Sequence, residues 1–137
     1  LFEADPIWTE FLADRDAFDT RLAQNGQLVA LNQHWSDCIA DAGWPGLEMP
    51  QAAFELAHAE WTVWANDPSK TELPTAAQFG AMQEREVTIA LADAICQEEL
   101  SYQEVHRAIQ DPLEQAFVDE RAEDIAYLQS AYAYSQS

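Results

Sequence analysis

Basic residues are nearly absent from this 137-residue chain, with six Lys and Arg against 25 Asp and Glu and a net charge of −19. Binding DNA or RNA needs clustered Lys and Arg to neutralise phosphates, so nucleic acid is excluded as a partner. An anionic membrane surface is disfavoured for the same reason. Glycine is scarce as well, at four residues, which leaves few places where backbone can wrap closely around a phosphate. No apolar run reaches the roughly 18 residues of a membrane span, and no segment sustains the two-residue alternation of a half-buried strand. A Ser-centred elbow, a phosphate-cradling Gly loop, a paired zinc motif and a haem-attachment motif are all missing. These absences argue against a conventional hydrolase or nucleotide enzyme, and no cofactor is expected.

What is present is a core-forming composition: 48% hydrophobic residues, with five Trp, four Tyr and six Phe. Such a chain can build a packed domain and is not a disordered tail. Five helical segments can be traced. The first opens on Asp5-Pro6, an N-cap followed by Pro at the first helical position. It carries Ile7, Phe11, Phe18 and Leu22, with Gly26 as a left-handed stop. The second places Leu28, Leu31, Trp35, Cys38 and Ala42 on one stripe and ends at Gly43, before a Trp44-Pro45-Gly46 turn. The third starts near Pro50 with Phe54, Ala57, Trp61 and Trp64 inward, and breaks at Asn66-Asp67-Pro68.

The fourth segment opens with a capping box, Thr75 and Gln78, and runs to about Leu100. Ser101 and Glu104 form a second box that opens the last segment, where Val105, Ile109, Leu113, Phe117, Ile125, Leu128 and Tyr132 hold helical phase. Pro112 lies inside that run. Because the phase continues across it, one long helix kinked at Pro112 is expected rather than two. The predicted fold is therefore all-α: an antiparallel bundle of four to five helices, forming a single helical domain over residues 1–137.

Cys38 shares a stripe with Leu31, Trp35 and Ala42, and Cys96 shares one with Met82, Ile89 and Leu100. Both should face inward, either as two buried thiols or as a cross-link between packed helices. Two inward cysteines with none left over favour the disulfide, which would close a loop of roughly 60 residues and contribute about 4 kcal/mol. A Cys-x-x-Cys pair and a four-Cys zinc site are both excluded by the count and spacing. A disulfide implies an oxidising compartment outside the cytoplasm. The chain opens on Leu1 and not on Met, so any export signal or lipid anchor would lie upstream.

The run Trp35-Ser36-Asp37-Cys38-Ile39-Ala40-Asp41-Ala42-Gly43-Trp44 resembles a pattern in actinobacterial secreted proteins and lipoproteins. In that group a Trp-x-x-Cys…Gly-aromatic run is followed, after a variable insert, by Glu-x-x-x-Ala-x-Ala-Asp-x-x-Cys. Here the second half reads Glu86-Val87-Thr88-Ile89-Ala90-Leu91-Ala92-Asp93-Ala94-Ile95-Cys96. The resemblance covers roughly residues 30 to 130. It implies a cell-envelope address, secreted or lipid-anchored, and a disulfide. It implies no activity.

Glu86 and Asp93 fall on the inward stripe of Met82, Ile89 and Cys96. A carboxylate there is costly unless it is paired or hydrogen-bonded. The plain reading is that they cap backbone groups or pair with Arg107, Arg121 or a histidine. The functional reading makes them metal ligands, with His34 one turn before Cys38 as a third, or a general acid/base pair. Glu55-Leu56-Ala57-His58 has the Glu-x-x-His spacing of di-iron bundles, but such sites need two copies and His106 has Gln103 three residues before it.

Trp8, Trp35, Trp61 and Trp64 are expected in the core, whereas Trp44, Tyr127 and Tyr134 are harder to bury and could meet a partner. The acidity itself reads as a solvated surface or as a docking patch for a basic partner or a cation. The expected function is a non-enzymatic extracytoplasmic module that binds another envelope protein or serves a structural role. The competing expectations are a divalent-cation-binding bundle and an enzyme with a carboxylate pair.

Overall fold

A computed structural model describes residues 5–69 and 72–136, with the side chains of residues 134–136 outside the described set. Lys70 and the side chain of Tyr134 thus lie outside the described residues. The regular structure of the described residues is all helical and comprises six helices: α1 (Pro6–Ala23), α2 (Gly26–Asp41), α3 (Pro50–Asn66), α4 (Ala76–Glu99), α5 (Tyr102–Glu120) and α6 (Ala122–Gln136). None is long and apolar enough to cross a membrane. The chain divides into two compact units, one formed by residues 1–29 with 105–137 and the other by residues 30–104.

Local chemistry explains most helix ends. Asp5 Oδ1 accepts from the Ile7 N–H at 2.9 Å, with Pro6 in the first turn, as expected. The left-handed stop expected at Gly26 does not occur. Asn25 Oδ1 instead accepts from the N–H groups of Gln27 and Leu28 at 3.0 and 3.2 Å, so Gly26 opens α2. An amide side chain that satisfies the free donors of a new helix outweighs glycine's freedom to end the old one. Gly43, by contrast, does end α2. Its φ of 102° lets its N–H reach Ala40 O and the Trp44 N–H reach Ile39 O, both at 3.0 Å. The Ser36 hydroxyl donates to Leu47 O at 2.6 Å and ties the following turn back to α2.

The capping box at Thr75 and Gln78 forms in both directions. The one expected at Ser101 does not, because Ser101 takes a left-handed φ of 49° and so lacks the extended backbone of an N-cap. With Leu100 it makes the two-residue link between α4 and α5. The last segment divides, but at Arg121 and not at Pro112, so the described residues form six helices where four to five were expected. Pro112 sits within α5, where the Gln110 side chain donates to Glu114 across it and Ile109 stays buried. At Arg121 the ladder shortens to a three-residue bond, from the Arg121 N–H to Val118 O at 3.1 Å.

In the unit of residues 30–104, α3 and α4 form an antiparallel hairpin. His58 meets Glu86, Glu60 meets Arg85 and Trp61 meets Phe79, so one numbering rises as the other falls. Helices α2 and α4 run in the same sense at their contact, since Trp35 bonds Asp93 and Cys38 bonds Cys96, both pairs 58 residues apart. Trp35 and Ile39 are fully buried, and Ile89 and Cys96 are 1% exposed. Each buried Ile contributes about 2 kcal/mol. On α2 it is Ile39 and not Ala42 that completes the stripe, because Ala42 lies past the helix end. On α3 the inward residues are Ala53 and Ala57; Phe54 is 59% exposed, one position off the stripe expected for it. Small side chains at buried positions let a neighbouring helix pack closely.

In the other unit, α1 packs on α5 and α6. Phe117 takes Phe18 at 5.0 Å and Phe11 at 6.0 Å between ring centres, and the Arg121 guanidinium lies 4.0 Å over its ring. Arg121 also pairs with Asp14 at 3.1 Å. Ile109 and Leu128 are buried, while Val105, Leu113 and Tyr132 of the expected stripe stay exposed. Tyr127 donates to Asp5 at 2.7 Å.

Candidate functional site

The buried seam between α2 and α4 is held by a covalent and a polar staple one turn apart. Cys38 and Cys96 form the expected disulfide, with Cα atoms 5.8 Å apart. Cys96 is in the core, whereas Cys38 is half-buried. One turn earlier the Trp35 indole N–H donates to Asp93 Oδ1 at 3.0 Å, and Gln97 donates to both oxygens of the same carboxylate at 2.9 and 3.0 Å. A buried indole needs such an acceptor. Nearby, the Tyr102 hydroxyl donates to Asn32 Oδ1 at 2.6 Å. Burial first, and then the Asp93 charge, raises the pKa of that phenol from its ordinary 10.0.

Of the three carboxylate and imidazole groups singled out by sequence, none shares a partner with another. Asp93 is taken up by Trp35 and Gln97. Glu86, two turns away or about 10 Å along the axis, pairs with His58 Nε2 at 3.4 Å. His58 Nδ1 in turn donates to Phe54 O at 2.8 Å, so that ring is fixed from both sides. His34 is exposed on α2. Among the described residues no group of three or more His, Cys, Asp or Glu could hold a metal, and no polar or charged side chain is fully buried. Glu55 is exposed and does not join His58, which is committed to Glu86. Trp44 is half-buried beneath the Arg85 guanidinium, 5.8 Å from its ring centre, and Arg85 also pairs with Glu60 at 3.4 Å.

The feature that sequence reasoning missed is the opposite face of α4. Val87, Leu91 and Ile95 recur every four residues and are 64%, 60% and 48% exposed. They lie nearly across the helix from Met82, Ile89 and Cys96, so α4 is apolar on two faces and buries only one. With Thr88, Ala92 and Glu99 of α4, and with Asp41, Ala42 and the Cys38–Cys96 disulfide, they line an open groove of about 620 Å³. The signal was present in the sequence as a second four-residue spacing within the same segment. It was hidden because a single inward stripe already accounted for a helix.

No family model matches this sequence, and no curated protein or solved structure is detectably similar to it.

Proposed function

We propose that this chain is an extracytoplasmic helical bundle that works by binding a protein partner, with the outer face of α4 as the contact surface. One observation carries the reading: three large aliphatic side chains, Val87, Leu91 and Ile95, stand in solvent in a row on a helix whose other face is already packed. Scattered exposed apolar residues are ordinary, whereas an aligned set lining a groove marks an interaction site. The Cys38–Cys96 disulfide supports the compartment, since such bonds persist in oxidising environments. The likeness of residues 35–44 and 86–96 to actinobacterial secreted proteins and lipoproteins points the same way and suggests attachment at the cell envelope.

The test places a photo-crosslinking residue at Ile95 and exposes the protein to the native extracytoplasmic fraction. A single species, identified by mass spectrometry and lost in Leu91→Glu, supports the reading. Identical products from both forms refute it. Alkylating thiols in intact cells before lysis tests the compartment separately, because an exported chain resists modification at Cys38 and Cys96.

A further inference from the structure

We infer that the occupant of the α4 groove is a basic amphipathic helix of another protein, an inference that rests on the docking reading above. Shape and charge both select it. The groove is lined by α4 and by the C-terminal end of α2, and Val87 to Ile95 spans about 12 Å, two turns of an incoming helix with aliphatic anchors three or four residues apart. The apolar row is closed at both ends by acid. Glu84 precedes it on the same face of α4, Glu98 and Glu99 follow it, and Asp41 at the end of α2 lines the groove with Glu99; all four are exposed. The only basic side chain of α4, Arg85, is committed to Glu60 and Trp44 and does not offset them.

Charge disfavours the other occupants. A second copy would bring another net charge of −19 against these carboxylates, and an anionic lipid surface meets the same repulsion. Lysines or arginines at either end of a helix whose middle is aliphatic match the acid–apolar–acid order of the groove. Rim charges of this kind set partner choice and encounter rate more than affinity, so association should weaken as salt rises.

The experiment titrates the isotope-labelled, disulfide-intact protein with synthetic helical peptides of about 15 residues. One has an aliphatic stripe flanked by lysines, one has glutamates in place of the lysines, and one has the basic composition scrambled. The basic peptide should shift amide signals of residues 87–95 and 38–42 and bind about tenfold more tightly than the acidic one. Leu91→Glu should abolish the effect, and Glu98→Gln with Glu99→Gln should reduce affinity about threefold. Circular dichroism confirms that each variant keeps its helix content. Equal binding of basic and acidic peptides at this face overturns the inference while leaving the docking surface intact. Binding elsewhere, binding by the scramble or no binding overturns it too, and the docking reading then stands or falls by the cross-linking result.

Discussion

Reducing the Cys38–Cys96 bond should destabilise the unit of residues 30–104 by an amount that the chain separation sets. With the cysteines 58 positions apart in the chain, loop-closure entropy assigns the cross-link about 4 kcal/mol. At a denaturant slope of about 2 kcal/mol per molar, the urea midpoint should fall by roughly 2 M when reductant is added. The slope should rise as well, since a chain freed from its cross-link unfolds to a more open ensemble. Tryptophan fluorescence is the suitable reporter, because Trp35, Trp44, Trp61 and Trp64 all belong to this unit. Replacing both cysteines by alanine should go further by about 1 kcal/mol, since it also removes a sulfur from the packed position of Cys96. A midpoint shift below roughly 0.5 M on reduction would correspond to about 1 kcal/mol; it would mean that the two helices hold their register without the bond.

Asp93→Leu should cost about 1–3 kcal/mol by leaving the Trp35 indole without an acceptor, whereas Asp93→Asn should cost less than about 1 kcal/mol; equal losses in chemical denaturation would discount that hydrogen bond. Asp93→Asn should also lower the titration midpoint of Tyr102, followed by phenolate absorbance, because one cause of its raised pKa is removed. Since the folded state holds the Tyr102 proton more tightly than the unfolded chain does, its contribution to stability is complete below pH 10.0 and declines as pH rises through the folded value. Ser101→Gly should stabilise the protein by about 1 kcal/mol by relieving a left-handed non-glycine residue; a loss on thermal melting would show that the Ser side chain contributes there. Pro112→Ala should restore a backbone bond in the middle of α5 and raise stability by roughly 1–3 kcal/mol, and an unchanged melting curve would contradict this.

Helix existence was legible because each segment carries its own phase and stops: Asp5-Pro6, Gly43 and Thr75-x-x-Gln78 act over a few residues and are indifferent to tertiary context. Segment ends set by competition were not. At Asn25-Gly26 two signals compete and the side chain that satisfies more N–H groups prevails. At Pro112 a breaker sits where the buried face continues, while Arg121, with no breaker signal, ends the helix. Inwardness was read well where one residue of a turn is clearly apolar, as at Trp35, Ile89 and Cys96. It failed at Ala53-Phe54, where hydrophobicity points to Phe but Ala53 is the residue buried. The carboxylates Glu86 and Asp93 stood out in sequence, yet their partners, His58 and Trp35, lie on other helices and cannot be inferred from spacing. The outer row of α4 uses the same four-residue period as a core stripe, so only exposure separates the two.

The division into residues 30–104 and residues 1–29 with 105–137 carries a consequence for biogenesis. The first unit is one uninterrupted stretch, so all its partners have left the ribosome once residue 104 is out, and oxidation of Cys38 with Cys96 requires nothing made later. The second is assembled from the two chain ends, so α1 waits through synthesis of everything between before Phe117 and Arg121 arrive to meet Phe18 and Asp14. During that interval the aromatic face of α1 has no native cover. Early termination of translation would therefore strand it while leaving the cross-linked middle complete, and this makes α1 the natural point of surveillance for proteases and chaperones.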